Sequence, residues 1–279
     1  MRMSHWFVFQ STGACLAIAA FWTISAAAPP PQASVATFSA WEHKFDGPDQ
    51  LPAGQTVVRL RNRGQKPHQA QFLKLEQGKT PADLAASLKS GSRITPSWAK
   101  HMGGPNGVDP GRASEATLYL EPGSYVIICG IPGKNHQSHA SLGMQKALRV
   151  LDTKPSPPEF DGNFHMAMYD YEFVVVQPLR KGRHSFYVIN RGGQIHQGSI
   201  IRLNTGASVE DVLKTFDQDD PTRLPGTLIG GMSGLEPGRD GTFMAELTPG
   251  RYTIMCLFSN PHAGESHAAK GMVLNFTIE

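Results

Sequence analysis

The stretch Tyr252-Thr-Ile-Met-Cys256-Leu-Phe-Ser-Asn-Pro-His-Ala-Gly-Glu-Ser-His267-Ala-Ala-Lys-Gly-Met272 joins an apolar strand that ends on a cysteine to a loop, a histidine and a methionine. An earlier stretch, residues 125–144, has the same order, and in both copies four residues separate the histidine from the methionine. Thiolate, imidazole and thioether are soft ligands, and this softness favours copper among the available metals. A trigonal copper site also needs a second histidine, so each copy should contain one upstream.

A second histidine does precede each cysteine, in Asn62-Arg-Gly64-Gln-Lys-Pro-His68 and in Asn190-Arg-Gly192-Gly-Gln-Ile-His196. These two histidines are 128 positions apart, as are the two methionines, whereas the cysteines are 127 apart, so the second loop is one residue longer. Similarity at a fixed period marks a repeated structural unit. The sequence therefore predicts a tandem duplication.

Each loop after the cysteine holds two candidate histidines, and the register of the repeats separates them. His139 and His267 are 128 positions apart, the same offset as the methionines, whereas His136 and His262 are 126 apart and fit neither offset. A ligand inherited through duplication should keep its register with the methionine. We therefore predict that His139 and His267 bind the metal and that the other two are exposed loop residues.

Length and composition fit two ordinary globular domains. The chain has 279 residues, 40% of them hydrophobic and 18% charged, which is enough apolar material for two cores. The net charge is only +3 and no block of lysine or arginine occurs, so the sequence predicts no nucleic-acid partner.

The N-terminus is predicted to be an export signal. Residues 1–28 contain Arg2, an apolar run and a closing Ser25-Ala-Ala-Ala28 before three prolines, a small-residue cleavage pattern. The alternative is an uncleaved anchor, because the apolar run is almost long enough to span a membrane. The chain would contact a membrane only in that case. Cleavage predicts a periplasmic or secreted protein.

Two cysteines, Cys129 and Cys256, lie beyond this segment, one in each repeat. In an oxidising compartment a pair of cysteines ordinarily suggests a disulfide. Because these two occupy equivalent strand ends of separate domains, a bridge would require the ends to meet within ~7 Å between Cα atoms. We therefore predict free thiols that act as metal ligands.

The remaining sequence divides into a tether at 29–36, a first domain at 37–151, a proline-rich linker at 152–162 and a second domain at 163–279. Short apolar strands punctuated by Pro-Gly turns favour a β-sandwich in each domain. Thr80-Pro81 and Ser208 begin one short helix per repeat. Residues 91–113 are rich in glycine, serine and proline and are predicted to form a long surface excursion.

Together, the Asn-x-Gly turn with its histidine, the Pro-Gly-x-Tyr strand that ends in cysteine, and the His-x4-Met segment resemble the cupredoxin (blue copper, plastocyanin-like) family. The resemblance covers both repeats. It implies an all-β fold of two tandem Greek-key β-sandwiches with a mononuclear type 1 copper site in each, so up to two copper ions, Cu(I) or Cu(II), per chain. The ligands that it implies are His68, Cys129, His139, Met144, His196, Cys256, His267 and Met272. Asn62 and Asn190 are expected to tie the histidine turn to the cysteine strand.

The function that this resemblance implies is electron transfer through copper, with a redox partner protein that the sequence does not identify. One alternative is copper storage without a redox partner. Another is a two-domain copper oxidase or nitrite reductase, but those enzymes place further ligands beside the cysteine or in His-x-His pairs. Here Ile128 and Gly130 flank the first cysteine, Met255 and Leu257 flank the second, and no His-x-His occurs. We therefore expect no catalytic copper centre.

Overall fold

The computed structural model describes residues 33–89, 95–133, 137–155, 157–217, 223–259 and 265–279. The predicted export signal, the first half of the predicted tether, and both His136 and His262 lie outside these ranges. None of the helices in the described part of the chain is long and apolar enough to cross a membrane. Residues 33–279 form one compact unit.

The first repeat is built from short strands and one helix. Its elements are β1 (Ser34–Trp41), β2 (Lys44–Asp46), β3 (Gln50–Pro52), β4 (Gly54–Asn62), β5 (Gln71–Leu75), α1 (Pro81–Lys89), β6 (Ala99–His101), β7 (Ala113–Leu120), β8 (Gly123–Ile128) and β9 (Gln145–Leu151). β1 begins at Ser34, so the last residues of the predicted tether are already strand. They pair in parallel with Thr56–Val58 of β4, and Ala36 is buried.

The second repeat follows the same order, without a counterpart of β3 among the described residues. Its elements are β10 (Phe164–Tyr169), β11 (Glu172–Val175), β12 (Gly182–Asn190), β13 (His196–Leu203), α2 (Val209–Asp217), β14 (Gly226–Leu235), β15 (Asp240–Leu247), β16 (Gly250–Met255) and β17 (Val273–Ile278). Thr80 and Ser208 cap the two helices as predicted, because each hydroxyl accepts a hydrogen bond of 3.2 Å from the backbone N–H three residues later.

Each repeat is a sandwich of two sheets. In the first repeat, β2-β1-β4-β7 faces β3-β9-β8-β5-β6; in the second, β11-β10-β12-β15 faces β14-β13-β16-β17. β1 with β4, and β10 with β12, are parallel, and most other pairs are antiparallel. Aromatic side chains fill the space between the sheets: Phe38 and Phe72 are fully buried with ring centroids 5.8 Å apart. These features confirm the predicted fold.

The two sandwiches share a hydrogen-bonded junction with approximate two-fold symmetry. β7 pairs antiparallel with β15, where Thr117 faces Thr242 and Glu115 faces Met244, which joins one sheet of each repeat into an eight-stranded sheet. A second contact sets residues 102–108 against β14: Met102 bridges Leu235, Pro105 bridges Met232 and Val108 bridges Ile229. When residues of the two repeats that are 127 positions apart are exchanged, each of these pairs becomes another pair of the junction or remains the same pair. An isologous dimer interface has the same symmetry.

This junction corrects the prediction that residues 91–113 form a surface excursion in its central part, whereas residues 110–113 are exposed and residues 91–94 lie outside the described ranges. All residues from 102 to 108 are buried, and β6 pairs with β5 just before them. The glycine and proline residues here allow two backbones to approach closely and do not form a solvent-exposed loop. Burial of this segment depends on the neighbouring repeat, which composition alone does not reveal.

Candidate metal centres

The first centre lies at one end of the first sandwich, where β8 ends. Cys129 is fully buried, with its Sγ 3.8 Å from Nδ1 of His68 and 3.5 Å from Nδ1 of His139. His68 belongs to the turn after β4, and His139 to the loop between β8 and β9. The ligand atoms of the three side chains all lie within 4.8 Å of one another, so one metal ion can contact all three.

The second centre repeats this geometry. Cys256 Sγ lies 3.8 Å from Nδ1 of His196 and 3.5 Å from Nδ1 of His267, and the two Nδ1 atoms are 3.1 Å apart. All three side chains are buried. In the part of the chain that the structure describes, groups of three or more potential metal-ligating histidine, cysteine or acidic residues occur at these two places. Both cysteines are free, as predicted.

Met144 and Met272 close the two loops. The backbone N–H of Met144 donates to the carbonyl of His139 at 2.9 Å, and its carbonyl accepts from the N–H of Cys129 at 3.3 Å. Met272 makes the same pair of bonds with His267 and Cys256, at 2.9 and 3.2 Å. Both side chains are fully buried. Their role as axial ligands remains a prediction.

Burial controls the protonation of the ligands. It lowers the pKa of His68 and His139 to about 4, and that of His267 to about 4, while the pKa of His196 is also lowered. At neutral pH these imidazoles are therefore uncharged and offer a nitrogen lone pair. Burial raises the pKa of both thiols to about 12, although backbone N–H groups, including Gln69 N–H at 3.5 Å, donate to the sulfur. A bound cation is needed to hold each sulfur as thiolate.

Asn62 and Asn190 hold the histidine turns, but not through the cysteine strand as predicted. Asn62 Nδ2 donates to the carbonyls of Lys66 at 2.7 Å and Val108 at 2.9 Å, and its Oδ1 accepts from Gly64 N–H. Asn190 makes the equivalent bonds within its own repeat. Val108 pairs with His68 and Leu235 pairs with His196, so each asparagine ties its turn to the junction between the repeats and not to the cysteine strand.

A carboxylate lies behind the first histidine of each centre, and the sequence analysis missed it. Glu42 Oε1 is 3.7 Å from His68 Nε2, and Asp170 Oδ1 is 2.8 Å from His196 Nε2. Burial opposes ionisation of both carboxylates. Backbone N–H donors nevertheless keep the pKa of Glu42 below its usual value, and the hydrogen bond from His196 does the same for the pKa of Asp170. The signal was available, since these two residues also differ by 128.

The residue after each carboxylate covers the second histidine of its centre. His43 places its ring 6.1 Å from that of His139, and Tyr171 places its ring 5.4 Å from that of His267, both edge to face. His43 and Tyr171 have positive φ values of 61° and 69°, in the left-handed region. This backbone conformation is uncommon for residues other than glycine, and it recurs at the same position of both repeats.

These side chains fit copper. One thiolate and two imidazoles form a trigonal donor set, a thioether follows in sequence, and all the donors are buried, which is the ligand chemistry of blue-copper centres. A hard oxygen-binding ion would have no carboxylate donor within these triads. The chain thus has residues for up to two copper ions.

Comparisons with known proteins return solved structures only. No protein-family model and no curated protein matches the chain. Auracyanin A, a "blue" copper protein from Chloroflexus aurantiacus, is 22% identical, with a TM-score of 0.30, over 42% of this chain and 100% of its own. A blue copper oxidase from Nitrosomonas europaea is 13% identical, with a TM-score of 0.26, over 89% and 86%. A Cu-containing nitrite reductase from Thermus scotoductus SA-01 is 12% identical, with a TM-score of 0.25, over 88% and 61%. The two centres are identified here by their own geometry.

Proposed function

We propose that this tandem cupredoxin-like protein is an exported electron carrier with one type 1 copper site in each repeat. The observation that supports the proposal is the pair of buried triads, in which a cysteine sulfur lies 3.5 and 3.8 Å from two imidazole nitrogens with the same distances in both repeats. Bound copper supplies a one-electron couple between Cu(I) and Cu(II).

The chain contributes a frame that holds the ligands in place. Cys129 follows a strand at the centre of its sheet, and the carbonyl of this cysteine accepts the N–H of Ala140 at 2.8 Å, which pins the loop beside His139. His68 is paired to Val108 through two backbone hydrogen bonds, at 3.0 and 3.2 Å. Ligands fixed in this way move little when the metal changes its oxidation state, and a small rearrangement favours fast electron transfer.

The proposed setting is the periplasm or the extracellular space, because the N-terminal 28 residues have the pattern of a cleaved export signal. The partner would be another redox protein in that compartment. Delivery of electrons to it requires access to the second ligand histidine of each centre, His139 or His267, whose ring is in contact with that of His43 or Tyr171.

Metal analysis and visible absorption of the copper-loaded, oxidised protein provide the first test. We expect two copper ions per chain and an intense thiolate-to-copper charge-transfer band. Cys129→Ser and Cys256→Ser should each remove one ion and about half of the band, and the double variant sets the baseline. Full loading and undiminished colour in both single variants would contradict the assignment of the ligands.

Rapid mixing of the reduced, loaded protein with an oxidised c-type cytochrome tests electron transfer itself. An electron carrier should regain its colour as the cytochrome is reduced and should keep its copper in the presence of a Cu(I) chelator. Loss of copper to the chelator without reduction of the cytochrome would favour storage. Steady turnover of oxygen or nitrite by protein freed of loosely bound metal would favour an enzyme.

A further inference from the structure

The two centres differ in the contact behind the first histidine. Asp170 Oδ1 lies 2.8 Å from His196 Nε2, which is hydrogen-bond distance, whereas Glu42 Oε1 lies 3.7 Å from His68 Nε2, which is beyond it. His68 Nε2 is buried and has no hydrogen-bond partner. The first centre therefore lacks a bond that the second centre makes.

The difference follows from how the two carboxylates are held. Asp170 Oδ1 accepts the backbone N–H groups of Gly193 at 3.0 Å and Gln194 at 3.2 Å, and from this position it also reaches the imidazole. Glu42 Oε1 accepts the equivalent N–H groups of Gln65 and Lys66, but it does so from a side chain one methylene longer. That bonding leaves its oxygen short of the histidine.

The surroundings of the two sulfur atoms are closely matched. Both sulfurs lie 3.8 and 3.5 Å from their two imidazole nitrogens. The backbone N–H of Gln69 donates to the first sulfur at 3.5 Å, and that of Gln197 to the second at 3.4 Å. Asn62 and Asn190 make equivalent bonds in their two turns. The carboxylate contact is thus a contrast between two centres whose sulfur contacts and asparagine hydrogen bonds are alike.

We infer that Asp170 is a positioning residue that makes the second centre favour Cu(II) more strongly than the first does. A carboxylate that accepts a hydrogen bond from the outer nitrogen of a ligand histidine fixes the ring and raises the basicity of the nitrogen that faces the metal. A more basic ligand, with a negative charge behind it, stabilises the more highly charged ion. In a chain that holds two copper ions and one transferable electron, the electron then resides at the first centre.

This inference rests on the proposed function and deepens it by giving the two sites different roles. Outer-sphere partners of ligand histidines change metal affinity by ~10- to 100-fold. We expect the ratio of Cu(II) to Cu(I) affinity to be about tenfold higher at the second centre, which corresponds to a reduction potential about 59 mV lower for a one-electron couple.

The test uses full-length proteins that carry one centre each. Cys256→Ser leaves the first centre and Cys129→Ser leaves the second, and spectroelectrochemical titration of the visible band gives the potential of each. Asp170→Asn in the protein with only the second centre should raise its potential to near that of the first. The matched change, Glu42→Gln in the protein with only the first centre, should change the ratio of Cu(II) to Cu(I) affinity by less than threefold. Asp170→Glu, which keeps the charge but lengthens the side chain, should also raise the potential.

The outcomes separate the two proposals. Two coloured single-centre proteins with equal potentials would reject this inference and leave the proposed function standing. Equal shifts for Asp170→Asn and Glu42→Gln would do the same. If neither protein shows a copper–thiolate band, the proposed function fails and the inference fails with it. A lower potential at the second centre that Asp170→Asn removes, with the band retained, supports both.

Discussion

Copper binding should release one proton per site across a wide range of pH. The first centre, isolated in the Cys256→Ser protein, shows why. Burial raises the pKa of the Cys129 thiol to about 12, so the metal-free site carries a proton on sulfur even in alkaline solution. Burial lowers the pKa of His68 and His139 to about 4, so both are free of a competing proton even in mild acid. Formation of the thiolate is then the one proton loss.

The number of protons released at each pH distinguishes this buried site from an exposed one. At pH ~9.5, a cysteine with the ordinary pKa of ~8.5 would be only about a tenth protonated and would release ~0.1 proton. At pH ~5.5, two histidines with the ordinary pKa of ~6.5 would be mostly protonated, and the count would approach three. The buried site should instead release about one proton at both pH values, because its three pKa values lie outside this interval.

The assay adds copper as its Cu(I)–acetonitrile complex under argon to weakly buffered apoprotein and follows proton release with an indicator dye. The Cys129→Ser/Cys256→Ser double variant gives the background. A count near one at pH ~5.5, ~7.5 and ~9.5 supports the described burial of the ligands. A count that falls towards zero at the alkaline end, or rises towards three at the acid end, would refute the reasoning, since it would mean that the ligands are hydrated in the apoprotein.

Three further outcomes are expected. Gly192→Ala should destabilise the protein by about 1–3 kcal/mol and lower copper loading of the second site, because the new Cβ would lie 2.7 Å from His196 Nε2. Gly193→Ala, where the nearest contact of the new Cβ would be 3.4 Å, is the matched control, and equal effects of the two changes in urea unfolding would contradict this steric reason. Asn62→Ala should cost about 2–3 kcal/mol, since it removes donors to two carbonyls, and an unfolding free energy within ~0.5 kcal/mol of the parent would count against it. The apoprotein should lose stability as pH falls from ~6.5 to ~4, by on the order of 1–3 kcal/mol for each ligand histidine whose folded pKa is about 4, because the unfolded chain binds protons there that the folded chain does not; a flat stability profile by chemical denaturation would argue against buried, neutral imidazoles.

Duplication supplies an internal comparison from which the sequence predicts the two His-Cys-His groups that the structure brings together. Offsets of 127 and 128 select His139 and His267 over their neighbours, and the structure brings both selected histidines to the cysteine sulfur at 3.5 Å. The same offset relates Glu42 to Asp170, which were overlooked because an acidic residue in a turn has many uses. Their role depends on a distance to an imidazole, and only the folded chain provides that distance.

The Asn-x-Gly turn shows how a motif can be recognised before its reason is known. A side chain at Gly64 would put its Cβ 2.8 Å from His68 Nε2 and against the Glu42 carboxylate, and Gly192 has the equivalent contacts. Glycine is therefore required by the approach of a carboxylate to a ligand histidine. The spacing of the motif indicates a histidine turn, whereas the third partner comes from the turn after β1 or β10, more than 20 residues earlier.

The junction between the repeats explains why a glycine-rich segment that is predicted to lie on the surface is buried instead. Gly104 and Gly231 hold equivalent positions, with φ values of +140° and +123°, and a Cβ at either would collide with a backbone carbonyl, that of Ala70 or of Gly198. Each glycine also bonds across the pseudo-two-fold: Ser233 N–H donates to Gly104 O at 2.9 Å and Asn106 N–H donates to Gly231 O at 3.1 Å. Glycine is thus needed at these two positions. It lets the backbone of each repeat pack closely against the strand that follows its own histidine and, at the same time, against the other repeat. The same junction contains Val108 and Leu235, whose carbonyls accept hydrogen bonds from Asn62 and Asn190. The junction therefore supports the histidine turn of both centres.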